Sequence, residues 1–249
     1  GVGFEMENKL PWNRGFDKFY GYLNTQIDHR TKTVGAQDIM QKLGFTGSTI
    51  DWFENGEWLG GDDTRINSQD DADMVGYLLQ DKAESYIHEY ATMQKNDENK
   101  NPFFLYYASN LPHSPYDAPA VYTDRCIAQY SLNSNRETDQ QDMINYCGMI
   151  LQLDEVVSNL TCILKEEGIY DNTLIILASD NGGEVDGSNL PYKTKKSWIL
   201  EGGVHVPAAI GGGFLPSSLR GTTYDELFHV SDWLPTLMNV VTSMKYKGS

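Results

Sequence analysis

Thr173-Leu174-Ile175-Ile176-Leu177-Ala178-Ser179-Asp180-Asn181-Gly182-Gly183 is the stretch whose reading decides the fold. A short, wholly apolar run bounded by turn residues reads as a strand buried on both faces, the kind that parallel sheets contain. Phe103-Phe104-Leu105-Tyr106-Tyr107-Ala108 is a second such run, and a helical pattern over 143–166 leads into the first. Strands alternating with helices predict an α/β fold, a mostly parallel sheet with helices on both faces. Ligands in such sheets bind beyond the carboxyl ends of the strands. Asp180 and Asn181 therefore stand at a strand end as hard oxygen donors for Ca²⁺, with Mg²⁺ as the alternative. Gly182 and Gly183 let the backbone turn sharply and approach a ligand closely. Lys193-Thr194-Lys195-Lys196 and Glu201-Gly202-Gly203-Val204-His205-Val206-Pro207 follow, a cationic clamp and then a tight turn into a strand over 206–210. Cation donors, a clamp and a turn in that order suit an oxyanion ester.

The rest of the chain punctuates clearly. Residues 10–22 read as a packed aromatic loop. Asp51 to Trp58 read as a β-hairpin turning on Asn55-Gly56, a pair suited to the positive φ angles of a type I′ turn. Apolar spacing over 71–94 predicts an amphipathic helix. Residues 133–141 are polar and read as an exposed loop. The helix over 143–166 stops at Gly168 as a C-terminal cap, and a last helix over 231–241 starts at Ser231 or Asp232.

With 249 residues the chain has room for one large domain spanning 1–249 and a substantial core. The net charge of −16 argues against nucleic acid as a partner. No run approaches ~18 consecutive apolar residues, so no membrane span is expected. The 3 cysteines, Cys126, Cys147 and Cys162, allow one disulfide and one free thiol, or pairing outside the chain. Asn159-Leu160-Thr161 is an N-glycosylation sequon.

Several blocks in order resemble the type I sulfatases of the alkaline-phosphatase superfamily, the arylsulfatase B type above all. They are Leu10-Pro11-Trp12-Asn13-Arg14-Gly15-Phe16-Asp17, Asn110-Leu111-Pro112-His113-Ser114-Pro115, Gly148-Met149-Ile150, Ser179 to Gly183 with Glu201 to Pro207, and His229-Val230-Ser231-Asp232-Trp233-Leu234-Pro235-Thr236-Leu237. The resemblance implies an alkaline-phosphatase-like fold and hydrolysis of a sulfate ester, carried by a small molecule or a sulfated glycan. It implies that Asp180 and Asn181 ligate Ca²⁺, that His113 meets the ester oxygen and that Lys196 clamps the sulfate, with Lys195 as its substitute because the alignment needs a gap there. It also implies a secreted, extracellular or lysosomal protein, glycosylated at Asn159 and compatible with an oligomer or an extracellular assembly. His205 stands where many relatives carry Arg and reads as structural, as does His229 with Asp232. His29 has no motif to assign it.

The family's nucleophile, a formylglycine made from Cys or Ser in a short motif ending in Arg, has no matching motif here. Its N-terminal acidic metal pair is absent too, and Gly1 falls where its Lys-Trp-His block would place the histidine. The expectation is the C-terminal part of a catalytic domain carrying half an active site. The alternative is an inactive sulfatase-like protein with a structural or binding role.

Overall fold

The computed structural model describes residues 7–24, 27–34, 50–60, 63–96, 101–130, 138–184 and 187–245. Gly1, on which the alignment with the histidine rests, lies outside them. The chain separates into two compact units, Gly1–Phe214 and Leu215–Ser249.

Helices α1 (Val75–Lys95), α2 (Ala120–Tyr130) and α3 (Thr138–Glu166) form the body of the first unit. α1 buries Val75, Leu78, Ala83, Ile87 and Ala91, a stripe at near-helical spacing. α3 begins at Thr138, so the end of the loop expected over 133–141 is helical, while 133–137 lie outside the described residues. It ends as expected at Gly168, whose φ of 75° suits a residue without a side chain. Residues 140–166 are long and apolar enough to cross a membrane by composition alone. Ile144, Met149, Gln152, Val156, Ile163 and Leu164 are buried along one side of them. α2, absent from the sequence reading, is tied to α3 by a Cys126–Cys147 disulfide, and Cys162 is the exposed free thiol.

A small antiparallel sheet joins β1 (Tyr20–Gly21), β2 (Phe53–Glu54) and β3 (Glu57–Trp58). The β2–β3 turn places Asn55 at φ 50° and Gly56 at φ 95°, as the Asn-Gly pair predicts. Trp52 lies fully buried beneath this sheet with Ile27, Ile66, Val75 and Leu78.

β4 (Ile175–Ala178) pairs with β5 (Ala208–Gly211), and the pairing is antiparallel. Every ladder among the described residues is antiparallel, so the parallel pairing expected of these runs is not found there. Nor is β4 sealed on both faces, since Leu177 is 45% exposed. An apolar run encodes a preference for leaving water, not the direction of its partner. Residues 103–108 are extended without a ladder among the described residues. Phe103 and Leu105 pack on Ile87, Ile163 and Leu164, whereas Phe104 and Tyr106 are 67% and 71% exposed. That is the two-residue alternation of a strand with one covered face.

α4 (Glu201–Val204) is a single helical turn where a tight turn was expected. In the second unit, α5 (Trp233–Lys245) follows a 3₁₀ turn at Val230–Asp232. The cap is His229 rather than Ser231 or Asp232. Its ring accepts from the Ser231 N–H, and its own N–H donates to Asp232 Oδ2 at 2.8 Å. Pro235 sits in the first turn of α5, where its missing N–H costs no intrahelical bond.

Candidate active site

β4 delivers the chain into Ser179-Asp180-Asn181-Gly182-Gly183, and backbone hydrogen bonds lash this turn to the lysine segment. Gly182 N–H donates to the Gly203 carbonyl at 2.9 Å, Lys196 N–H to Gly183 at 3.1 Å and Gly202 N–H to Lys193 at 2.9 Å. The approach is so close that a Cβ on Gly182 would lie 1.9 Å from the Gly202 oxygen, and one on Gly203 2.0 Å from the Trp198 oxygen. Glycine is required at both places by contact rather than by φ.

Asn189 completes the knot, and nothing in its sequence context marked it. Its Oδ1 accepts from Gly183 N–H at 2.8 Å, and its Nδ2 donates to the carbonyls of Gly183 at 2.9 Å and Thr194 at 3.3 Å. The lysines themselves sit on a strained stretch, with Thr194 at φ 76° and Ser197 at φ 74°. Such conformations persist in non-glycine residues when the surroundings over-determine them, and they gather at functional sites.

His113 enters from the loop that follows residues 103–108. Its N–H donates to the Asn110 carbonyl at 2.8 Å, and its Nδ1 meets the Ser114 carbonyl at 2.6 Å. A carbonyl can only accept, so Nδ1 carries the proton and Nε2 is the nitrogen presented outward. Nε2 lies 3.4 Å from Lys196 Nζ. The structure thus brings together residues 83 positions apart in sequence. Lys195 points elsewhere, with its Nζ 3.9 Å from Glu184 Oε1. Lys196 rather than Lys195 is the lysine beside the histidine.

Asp180 is exposed. Asn181 spends its Nδ2 on the Gly182 carbonyl at 3.0 Å, which leaves Oδ1 as the amide atom able to face a cation. The pair fits a hard cation in donor type, but supplies only part of the 6–8 oxygens typical of Ca²⁺. Among the described residues no cluster of three or more His, Cys, Asp or Glu side chains could hold a metal ion. No cysteine of this chain opens the family's formylglycine motif. Cys126 and Cys147 are joined to each other, and Cys162 lies on the exposed face of α3 with its thiol against Glu166.

His29 is 3% exposed and stands behind the His113 loop. Burial pushes its pKa down to about 4, against the opposing pull of Asp117 and Asp28. His205 is held by Glu201 at 2.6 Å and stacked on Tyr192, with ring centroids 4.4 Å apart.

The family model described as Sulfatase matches residues 3–243. Mouse Arylsulfatase J is 30% identical over 241 residues, covering 96% of this chain and 35% of that relative. An Escherichia coli protein named Uncharacterized sulfatase YdeN is 30% identical over 242 residues, 95% of this chain and 35% of its own. The chain therefore spans about a third of the length of these relatives. Ps i-CgsB, solved in complex with k-i-k-neocarrahexaose, superposes with a TM-score of 0.62 at 28% identity, over 82% of this chain and 41% of the other. The fold is the alkaline-phosphatase-like α/β fold of the sulfatases.

Proposed function

Because this chain belongs to the sulfatase family, we propose that its protein hydrolyses a sulfate ester, R–O–SO₃⁻ plus water giving the alcohol and sulfate, and that residues 1–249 contribute the sulfate-gripping half of the active site. The observation that carries this is the 3.4 Å approach of His113 Nε2 to Lys196 Nζ beside the Asp180–Asn181 turn. The Lys196 ammonium donates to Nε2. With a sulfate ester bound, it turns those donors to the sulfate oxygens, where a fixed positive charge stabilises the negative charge of the transition state. His113, its Nδ1–H anchored on Ser114, then holds Nε2 against the ester oxygen, and in its protonated form donates to the departing alkoxide. Asp180 and Asn181 would hold Ca²⁺, or Mg²⁺ in its place, and the cation would supply polarisation of a sulfate oxygen. The nucleophile comes from outside this chain. Sulfated glycans are the preferred substrate class, supported by the oligosaccharide bound to a structural neighbour. The disulfide and the Asn159 sequon support a secretory route, to the cell exterior or the lysosome.

The test is hydrolysis of 4-nitrophenyl sulfate by the native protein and by residues 1–249 alone. The native protein should turn over and the segment should not. Turnover by the segment contradicts the half-site reading. A folded, inert native protein favours the inactive, structural alternative.

A further inference from the structure

His29 and Arg30, adjacent in sequence, hold the His113 loop at both ends. Arg30 Nε and Nη2 grip the Asp117 carboxylate at 2.5 and 3.2 Å, and Arg30 Nη1 reaches Asp71 at 2.6 Å. The main chain of this strap is itself fixed. Asp28 Oδ1 accepts the N–H groups of Arg30 at 3.0 Å and Thr31 at 2.6 Å, and the His29 carbonyl accepts the Val75 N–H at the start of α1 at 3.0 Å. The side chain of His29 then reaches across to the site. Asn110 Nδ2 lies 3.1 Å from His29 Nδ1, and the Asn110 carbonyl accepts the His113 N–H at 2.8 Å. An amide nitrogen can only donate, so Nδ1 accepts and the neutral ring carries its proton on Nε2. Asn110 is 4% exposed, and its Oδ1 is buried without a partner among the described residues. An unpaired buried acceptor loses its water without gaining a partner, which is unfavourable. Its presence here, directly behind the site, fits the pattern of proteins that break local rules at functional positions.

We propose that His29 is a positioning residue of the sulfate site, a buried strut that holds Asn110, through its carbonyl holds the His113 main chain, and thereby aims Nε2 at Lys196 and the ester oxygen. This role rests on the sulfate-site reading above, but it has a readout independent of catalysis. Glutamine can reproduce the bond to Asn110, its carbonyl accepting from Nδ2, whereas leucine cannot.

The experiment compares His29→Leu, His29→Gln and Asn110→Ala in the native protein. It reads kcat and KM for 4-nitrophenyl sulfate, thermal melting, and the His113 ring resonances by NMR of ¹³C-histidine-labelled protein. His29→Leu should lower kcat by about 10–10²-fold, the scale of an ångström-level misplacement, with little change in KM. It should move the His113 resonances and leave those of His205 and His229 in place. His29→Gln should recover most of the kcat and the wild-type resonances. If His29→Leu does not fold, Asn110→Ala, which removes the donor to His29 together with the unpaired Oδ1, carries the comparison. If the protein does not hydrolyse aryl sulfate, the resonances still decide the positioning role. Unmoved His113 resonances in a folded His29→Leu or Asn110→Ala protein overturn the proposal. So does a His29→Gln protein as impaired as His29→Leu.

Discussion

Acidifying the protein should unfasten the strap behind His113 before it disturbs the other perturbed groups. Burial holds His29 at about 4, below its ordinary 6.5, with Asp117, Asp28 and His113 as the titratable neighbours that face it. The folded state therefore binds this proton less readily than the unfolded chain, and stability falls as pH drops through the interval between the two values. The whole displacement corresponds to about 3 kcal/mol at 1.36 kcal/mol per pKa unit, of which about 2.5 kcal/mol is lost by pH 4.5. Asp28, Asp71 and Asp73 are held below their ordinary 3.8, and Glu167 below 4.5, so their stabilisation is lost only at lower pH. For Asp28 burial opposes ionisation, and the donors from Thr31 and Arg30 more than offset it. For the other three the leading cause is a hydrogen-bonded cation, Arg30, Arg65 and Lys95 respectively. The assay is urea unfolding at intervals from pH 7.5 to 4.5, for the wild type and His29→Gln. The wild-type curve should fall away relative to the variant by about 2.5 kcal/mol, with a limiting slope of one proton. Parallel curves would refute the reasoning, because they would mean that the ring charges at little cost.

Replacing Cys126 and Cys147 together by alanine opens a loop with a sequence separation of 21 and should cost about 3 kcal/mol, read as a lower urea midpoint than that of the oxidised wild type. Gly182→Ala should destabilise by about 3 kcal/mol, the upper end for overpacking, because its Cβ meets backbone that cannot step aside. The same variant should lose aryl-sulfate turnover, and a wild-type melting temperature would contradict it. Asn159 is partly exposed on α3 and should carry a glycan when the protein is made through a secretory pathway, seen as a mass decrease on glycosidase treatment.

The sequence was most legible where a local rule acts alone. Asn55-Gly56 dictated its hairpin, the apolar spacing over 71–94 dictated α1, and Gly168 marked the end of α3. Legibility failed where the deciding partner is distant. The apolar run of β4 looked doubly buried, yet Leu177 is half exposed, because burial depends on what covers a strand. α2 escaped because its inward residues, Tyr122 and Cys126, make a weak stripe that the disulfide to Cys147 reinforces. In the site, the ordered motifs pointed to His113, Lys196, Asp180 and Asn181. They did not point to Asn189 or to the pairing of His29 with Asn110. Those residues act through main-chain groups brought near by folding, and an isolated Asn or His has no local signature for that role.

The central claim is that His113 and Lys196 act as one sulfate-gripping unit, and a double-mutant cycle on the native protein tests it most directly. Each single alanine variant should lower kcat/KM for 4-nitrophenyl sulfate by about 10²–10³-fold, the scale of losing one transition-state donor. Groups that act as a unit are not additive, so the double variant should fall no more than about tenfold below the weaker single. A double variant whose loss equals the product of the two single losses would contradict the account, as would single variants that turn over like the wild type.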